Sequence, residues 1–284
     1  MKSEAEMRAA FSLERPTGLR YLDTAIRTAR WDLRAKQRGV PLYVLLGGTP
    51  GQNRVRAYGS LLDYPSTEEE ACARARAFVA RGFRALKVKV GAPDVERDLQ
   101  RLHAIRAAVG PEIELTADAN TIWDCDTAIA RLREYHRAGI RLGYMEDPLP
   151  YTDVQGFARL ARSVELDIIG HDYINDPRDL RRLLEAGALR RIRNGSDIEF
   201  SLAASTLAQE FGVPQIFGNS VLEMNTHAAA ALPHVDRIEF SDLGWNQLVR
   251  EPVRYEAGFA IAPDRPGHGL EPDPDRLEEW SRPQ

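Results

Sequence analysis

The sequence predicts an α/β chain whose parallel strands close into a barrel. Three observations carry that prediction. From about Val55 onward, eight short β-like runs alternate with amphipathic helical segments. Such alternation needs crossover connections, so neighbouring strands run parallel. Eight units in 284 residues fit a closed barrel better than an open doubly wound sheet, and no GxGxxG opens a helix.

The elements follow in order. VRAYGSL (55–61) reads as the first strand, and 67–81 as a helix with Ser66 as its cap. ALKVKV (85–90) is the second strand, followed by a helix over 95–109. IELTADAN (113–120) is the third strand, with 126–138 helical after it. LGYMEDP (142–148) is the fourth and precedes a helix over 153–163. LDIIGHD (166–172) is the fifth, and the helix over 177–185 opens with Pro at a first-turn position. LRRIRN (189–194) is a poor strand candidate in the sixth place, before a helix over 199–211 that Gly212 ends. PQIFGN (214–219) is the seventh strand, 222–231 is helical, and RIEFSD (237–242) is the eighth strand.

Two flanks stand outside the alternation. Residues 19–38 form a helical segment rich in Ala and Arg, and 39–48 read as a turn and a short apolar run. Residues 247–284 are rich in Pro, Gly and acids, and read as a short strand pair with an irregular tail.

Composition narrows the partners. Apolar residues make up 43% and charged residues 28%, as in a soluble globular protein. A net charge of −4 without a long basic run argues against nucleic acid. Cys72 and Cys125 show neither metal spacing nor a disulfide framework, so a reducing cytoplasm is the expected home. The first residues are polar and charged, unlike a signal peptide, and no apolar stretch approaches membrane-spanning length.

In a barrel of this type, chemistry sits where the strands end. Lys87 and Lys89 stand at the end of the second strand, on the same side of it. Asp118 ends the third, Glu146 and Asp147 the fourth, His171 and Asp172 the fifth, and Asn219 the seventh, while Glu239 lies on the eighth. Carboxylates on three consecutive strands would converge at one mouth, and hard oxygen ligands suit Mg²⁺. That arrangement supports proton abstraction α to a carboxylate, because a divalent ion stabilises the charge that develops on the carboxylate oxygens. One lysine would serve as the base, its pKa lowered by the other.

ALKVKVG, TADAN, MEDPLP and PDRPGHGLEPD, in this order and spacing, resemble the enolase superfamily in its mandelate racemase and muconate-lactonizing branch. AIRTARWDLRAKQRGVPLYVLLGG (25–48) is similar to the segment leading from that family's capping domain into its barrel. The resemblance implies a (β/α)7β TIM-like barrel with a remnant of an α+β capping domain. Residues 1–50 would be the C-terminal portion of the N-terminal capping domain, 51–246 the barrel, and 247–284 a segment returning to the cap. It further implies Lys89 as the base with Lys87 as its companion. Asp118 and Glu146 would be metal ligands, with Asp172 preferred over His171 as the third, and Glu239 would meet the substrate carboxylate.

The sequence also departs from that branch. No His–Asp dyad is evident: Asn219 stands where the branch has histidine, and RRIRNGSDIEF lacks its aspartate and a sixth-strand lysine. Asp197 could serve as a second acid or base but reads better as a helix cap; Arg191 or Arg193 could face an anionic substrate, though a surface role is preferred; His227 reads as a packed helix residue. The family's first capping strands, with their mobile loop, have no counterpart before Met1, so homo-oligomerisation is expected to cover exposed apolar surface. The expected function is a Mg²⁺-dependent lyase that dehydrates a small hydroxy or sugar acid. The alternatives are a racemase, epimerase or cycloisomerase of the same superfamily, or a degenerate non-catalytic barrel with a binding role.

Overall fold

The computed structural model describes residues 20–62, 66–170, 172–195, 197–218, 224–241 and 245–281. Eight strands carry the barrel: β1 (Arg54–Leu62), β2 (Ala85–Lys89), β3 (Glu114–Asp118), β4 (Tyr144–Glu146), β5 (Asp167–Gly170), β6 (Arg191–Asn194), β7 (Gln215–Phe217) and β8 (Val235–Phe240). Each pairs in parallel with the next, and β8 pairs with β1, so the sheet closes on itself. The eight expected strands are all present, including the sixth.

The sixth strand's weakness in sequence has a physical reason. In RIRN the lone apolar residue, Ile192, is fully buried, and Arg193 on the alternate face is buried too. A barrel interior that is polar at this level inverts the usual pattern, so period-two alternation survives while hydrophobicity does not.

The chain turns outward into helices after each of the first seven strands. Numbered after α1 (Arg20–Gln37) and α2 (Leu42–Leu45), these are α3 (Glu68–Ala80), α4 (Val95–Val109), α5 (Cys125–Arg137), α6 (Val154–Ser163), α7 (Pro177–Glu185), α8 (Ile198–Phe211) and α9 (Asn225–Ala231). Aspartates start five of them: Asp94, Asp124, Asp153, Asp176 and Asp197 each accept a hydrogen bond from a first-turn N–H. A side-chain oxygen there satisfies donors that have no partner within the helix. At α3 the cap is Thr67 in a capping box with Glu70, not Ser66. Ser66 instead receives two bonds from the Arg101 guanidinium. Gly212 closes α8 with a left-handed φ of 66°, as expected.

The flanks form the lower-order additions. Residues 42–45 are a helical turn rather than a simple apolar run. The expected strand pair is a hairpin of β9 (Arg254–Glu256) and β10 (Phe259–Ile261), which continues antiparallel onto the N-terminal half of β1. The tail beyond it is not irregular throughout, since α10 (Pro274–Ser281) closes it. Helix α1 docks onto the start of α8, where Arg27 Nη2 lies 2.6 Å from Asp197 Oδ2. No described helix is long and apolar enough to cross a membrane.

Candidate active site

The register places the chemistry in one layer. Lys89 on β2 lies opposite Asp118 on β3, which lies opposite Glu146 on β4. Barrel closure brings Glu239 of β8 next to them, beside Tyr58 of β1. Thus Lys87, Lys89, Asp118, Glu146, Asp172 and Glu239, all singled out from the sequence, gather at one mouth.

Lys87 is the deeper lysine, only 3% exposed. Its Nζ lies 2.8 Å from Glu146 Oε1, 3.1 Å from Glu239 Oε1 and 3.3 Å from Asp118 Oδ2. Burial alone would push its pKa down, but the Glu146 and Glu239 carboxylates outweigh burial and hold it well above the ordinary lysine value. Lys87, the companion of the expected base, is thus held charged by the acids around it. Lys89 stands nearer the opening, with 23% of its side chain exposed, and bonds to Asp118 Oδ2. Of the pair, it is the one a substrate can reach.

The acids are differentiated by their surroundings. Burial raises the Glu146 carboxyl to about 7, despite the opposing pull of Arg193 and Lys87. Burial also raises Asp147 well above the usual range, helped by Asp172 and Glu146. At Asp172 and Glu239 desolvation is outweighed by Lys87 and Arg193, which hold both carboxyls below the usual range.

Carboxylate oxygens of Glu146, Asp147 and Asp172 converge within 4.8 Å of one another. Glu146 Oε2 is buried and has no hydrogen-bond partner among the described residues. A buried carboxyl oxygen in that state is costly unless a proton or a cation meets it. Asp118 is drawn to the lysines instead, and its Oδ1 accepts the Asn120 N–H at 2.8 Å. Asp147 joins the cluster because its φ of 44° breaks the strand alternation, so two successive residues face the same oxygens. A pair of adjacent acids before Pro148 was the visible signal for this turn.

Arg193 is the residue that sequence reasoning misplaced. It is no surface residue: it is 4% exposed and all its nitrogens are engaged. Its Nε reaches Asp172 Oδ1 at 2.7 Å and Glu146 Oε1 at 3.2 Å. Its Nη1 donates to Tyr58 Oη at 2.9 Å, and its Nη2 bonds Glu239 Oε2. Arg191, two residues earlier, stays at the strand starts, paired with Asp167 and Asp236.

The remaining expectations divide plainly. His171 and Asn219 lie outside the described residues. Asp197 caps α8 as read. His227 is fully buried on α9, where its Nδ1 accepts the Tyr43 N–H at 3.2 Å and its Nε2 lies 3.0 Å from the His268 carbonyl oxygen.

Comparison with known proteins sets these observations in context. The family profile described as enolase C-terminal domain-like matches residues 70–276. A 3,6-anhydro-alpha-L-galactonate cycloisomerase from Streptomyces coelicolor is 32% identical over 258 residues, covering 89% of this chain and 70% of that relative. An arabinonate dehydratase from Saccharolobus solfataricus is 29% identical, over 87% of this chain and 68% of its own length. Among solved structures, L-talarate dehydratase from a Polaromonas species, complexed with Mg and L-glucarate, superposes with a TM-score of 0.81 at 27% identity. That match covers 98% of this chain and 78% of the other.

Proposed function

The chain belongs to the enolase C-terminal domain-like family, and from that premise we propose that it is a Mg²⁺-dependent lyase. It removes the proton α to a carboxylate and expels a β-hydroxyl from a hydroxy acid of the acid-sugar class. The observation that carries this reading is one partly exposed lysine, Lys89, beside carboxylates from three successive strands.

The donor set fits a hard divalent ion. Glu146 and Asp172 belong both to the ligand set implied by the family resemblance and to the oxygens that converge here. Asp118 completes the set by the resemblance, and Asp147 offers an oxygen at the same place. Bound there, Mg²⁺ supplies positive charge for the carboxylate oxygens on which negative charge builds up.

The chain's own residues supply the rest. Lys89 Nζ takes the α-proton, and the electrons of that C–H bond move towards the substrate carboxylate. They then expel the β-hydroxyl, which leaves as water with a proton from an acid of the metal face or of the His171 segment. Lys87, held by three carboxylates, keeps its proton and positions Glu146 and Glu239. By the family resemblance, residues 1–50 and 247–284 act as capping segments around a 51–246 barrel.

Dehydration is favoured over racemisation by the sixth strand. Racemisation needs a base on each face of the substrate. The β6 side chain in the mouth is Arg193, and a guanidinium does not give up its proton in proteins. The test is a library of aldonates and aldarates with Mg²⁺ in D₂O, followed by NMR. The expected product is a 2-keto acid that has lost water. Recovered substrate inverted at the α-carbon would establish a racemase or epimerase instead. A product formed by ring opening or closure with no loss of water would establish a cycloisomerase, the class named for the 32% identical relative.

A further inference from the structure

Five carboxyl groups at the mouth, Asp118, Glu146, Asp147, Asp172 and Glu239, face three cations, Lys87, Lys89 and Arg193. Arg193 differs from the lysines in origin and reach. It comes from β6, four strands from β2 in the cyclic order of eight, and so enters from the opposite wall of the barrel. It ties together carboxylates from three strands, namely Glu146 of β4, Asp172 beyond β5 and Glu239 of β8. Glu239 and Glu146 are also the partners of Lys87, so the four side chains form a closed ring of alternating charge.

We infer that Arg193 is a tethered counter-ion of the carboxylate cluster, which weakens the affinity of this site for a divalent cation. The inference rests on the metal reading above and concerns this chain's arginine rather than the ligands themselves. Arg193 bonds Oε1 of Glu146 and Oδ1 of Asp172, leaving Glu146 Oε2 open. A divalent ion held by these carboxylates would share them with a permanent positive charge.

Two effects of Arg193 oppose each other, and their sizes decide the outcome. Its hydrogen bonds hold Glu146 and Asp172 in place, and loss of such an outer partner costs about 10- to 100-fold in metal affinity. Its charge repels the ion, and that repulsion is doubled because the ion carries two charges in a site screened from water. In a buried site, where charges are weakly screened, repulsion is the larger effect. Tyr58 Oη, which accepts from Nη1, and Glu239 keep the guanidinium from swinging away to relieve it.

The experiment is calorimetric titration of Mg²⁺ alone into the folded chain and its variants, with Mn²⁺ and electron paramagnetic resonance as a second readout. Arg193→Met and Arg193→Gln remove the charge, and each should bind Mg²⁺ at least about tenfold more tightly than the wild type. Arg193→Lys keeps the charge without the fork and should stay within about threefold. If Arg193→Met fails to fold, the Gln and Lys variants still decide between charge and geometry. Neutral variants that bind Mg²⁺ equally or more weakly would overturn the inference while leaving the metal reading intact. If neither the wild type nor the neutral variants bind Mg²⁺ or Mn²⁺, the metal reading fails and the inference falls with it.

Discussion

Acid should loosen the attachment of the chain's flanks to the barrel, and His227 is the group through which it acts. The residue is fully buried on α9 and joins two distant segments, Tyr43 on α2 and the carbonyl of His268 in the C-terminal region. Nδ1 must be unprotonated to accept the Tyr43 N–H, so Nε2 carries the proton and donates to His268. A second proton would place two donors face to face and bury a charge. Burial accordingly lowers its pKa from 6.5 to about 4. The unfolded chain binds this proton between those two values and the folded chain does not, so stability is full above pH 6.5 and falls as pH drops towards 4. The gap of about 2.5 pKa units corresponds to a loss of about 3 kcal/mol when complete, and about 2 kcal/mol by pH 5. The assay is urea unfolding of the wild type and His227→Gln at pH 7, 6 and 5. The variant carries a fixed cost of about 1 kcal/mol for the altered hydrogen bonds, which cancels when the two pH slopes are compared. The wild type should lose about 2 kcal/mol more than the variant between pH 7 and 5. Parallel slopes, or an NMR titration of His227 with a midpoint near 6.5, would refute the reasoning.

Three further outcomes are expected. Lys89→Met should lower turnover of whichever carboxylate is dehydrated by about 10²- to 10⁴-fold, the usual contribution of a positioned base, with circular dichroism unchanged. Glu146→Gln should abolish calorimetric Mg²⁺ binding, and Asp118→Asn compared with Asp147→Asn should show which acid completes the set, since only the ligand's loss costs affinity. Gly258→Ala should destabilise the chain by about 2 kcal/mol or more in thermal unfolding. Gly258 has a φ of 79°, and a Cβ there would meet the Gly82 carbonyl oxygen at 2.3 Å.

Much of the site could be read from the chain because the barrel rule is local. Where a β-like run ends, its last polar residues face the mouth, and this identified Lys87, Lys89, Asp118, Glu146, Asp172 and Glu239 one strand at a time. Arg193 escaped because its strand lacks the apolar pattern that marks a strand, so its neighbours offered nothing to count from. Asp147 was noticed beside Glu146 but could not be placed, since alternation would turn it away from the cluster and only its left-handed backbone turns it back. The lysine pair shows a subtler limit. Two lysines two apart predict mutual repulsion, whereas the acids around Lys87 come from other strands and reverse the sign.

The sequence by itself determined the order of strands and helices, the Asp197 cap and the Gly212 stop of α8, and which strand ends carry acids or lysines. Those features depend on interactions within a few residues, which the chain order states directly. Only the tertiary structure decided which charges meet. Arg193 finds Tyr58 across 135 positions and Glu239 across 46, and Lys87 finds Glu146 across 59. Such pairings exist because the eighth strand returns to the first and brings all the walls round one axis. Electrostatics then depends on distances of about 3 Å that no spacing along the chain encodes.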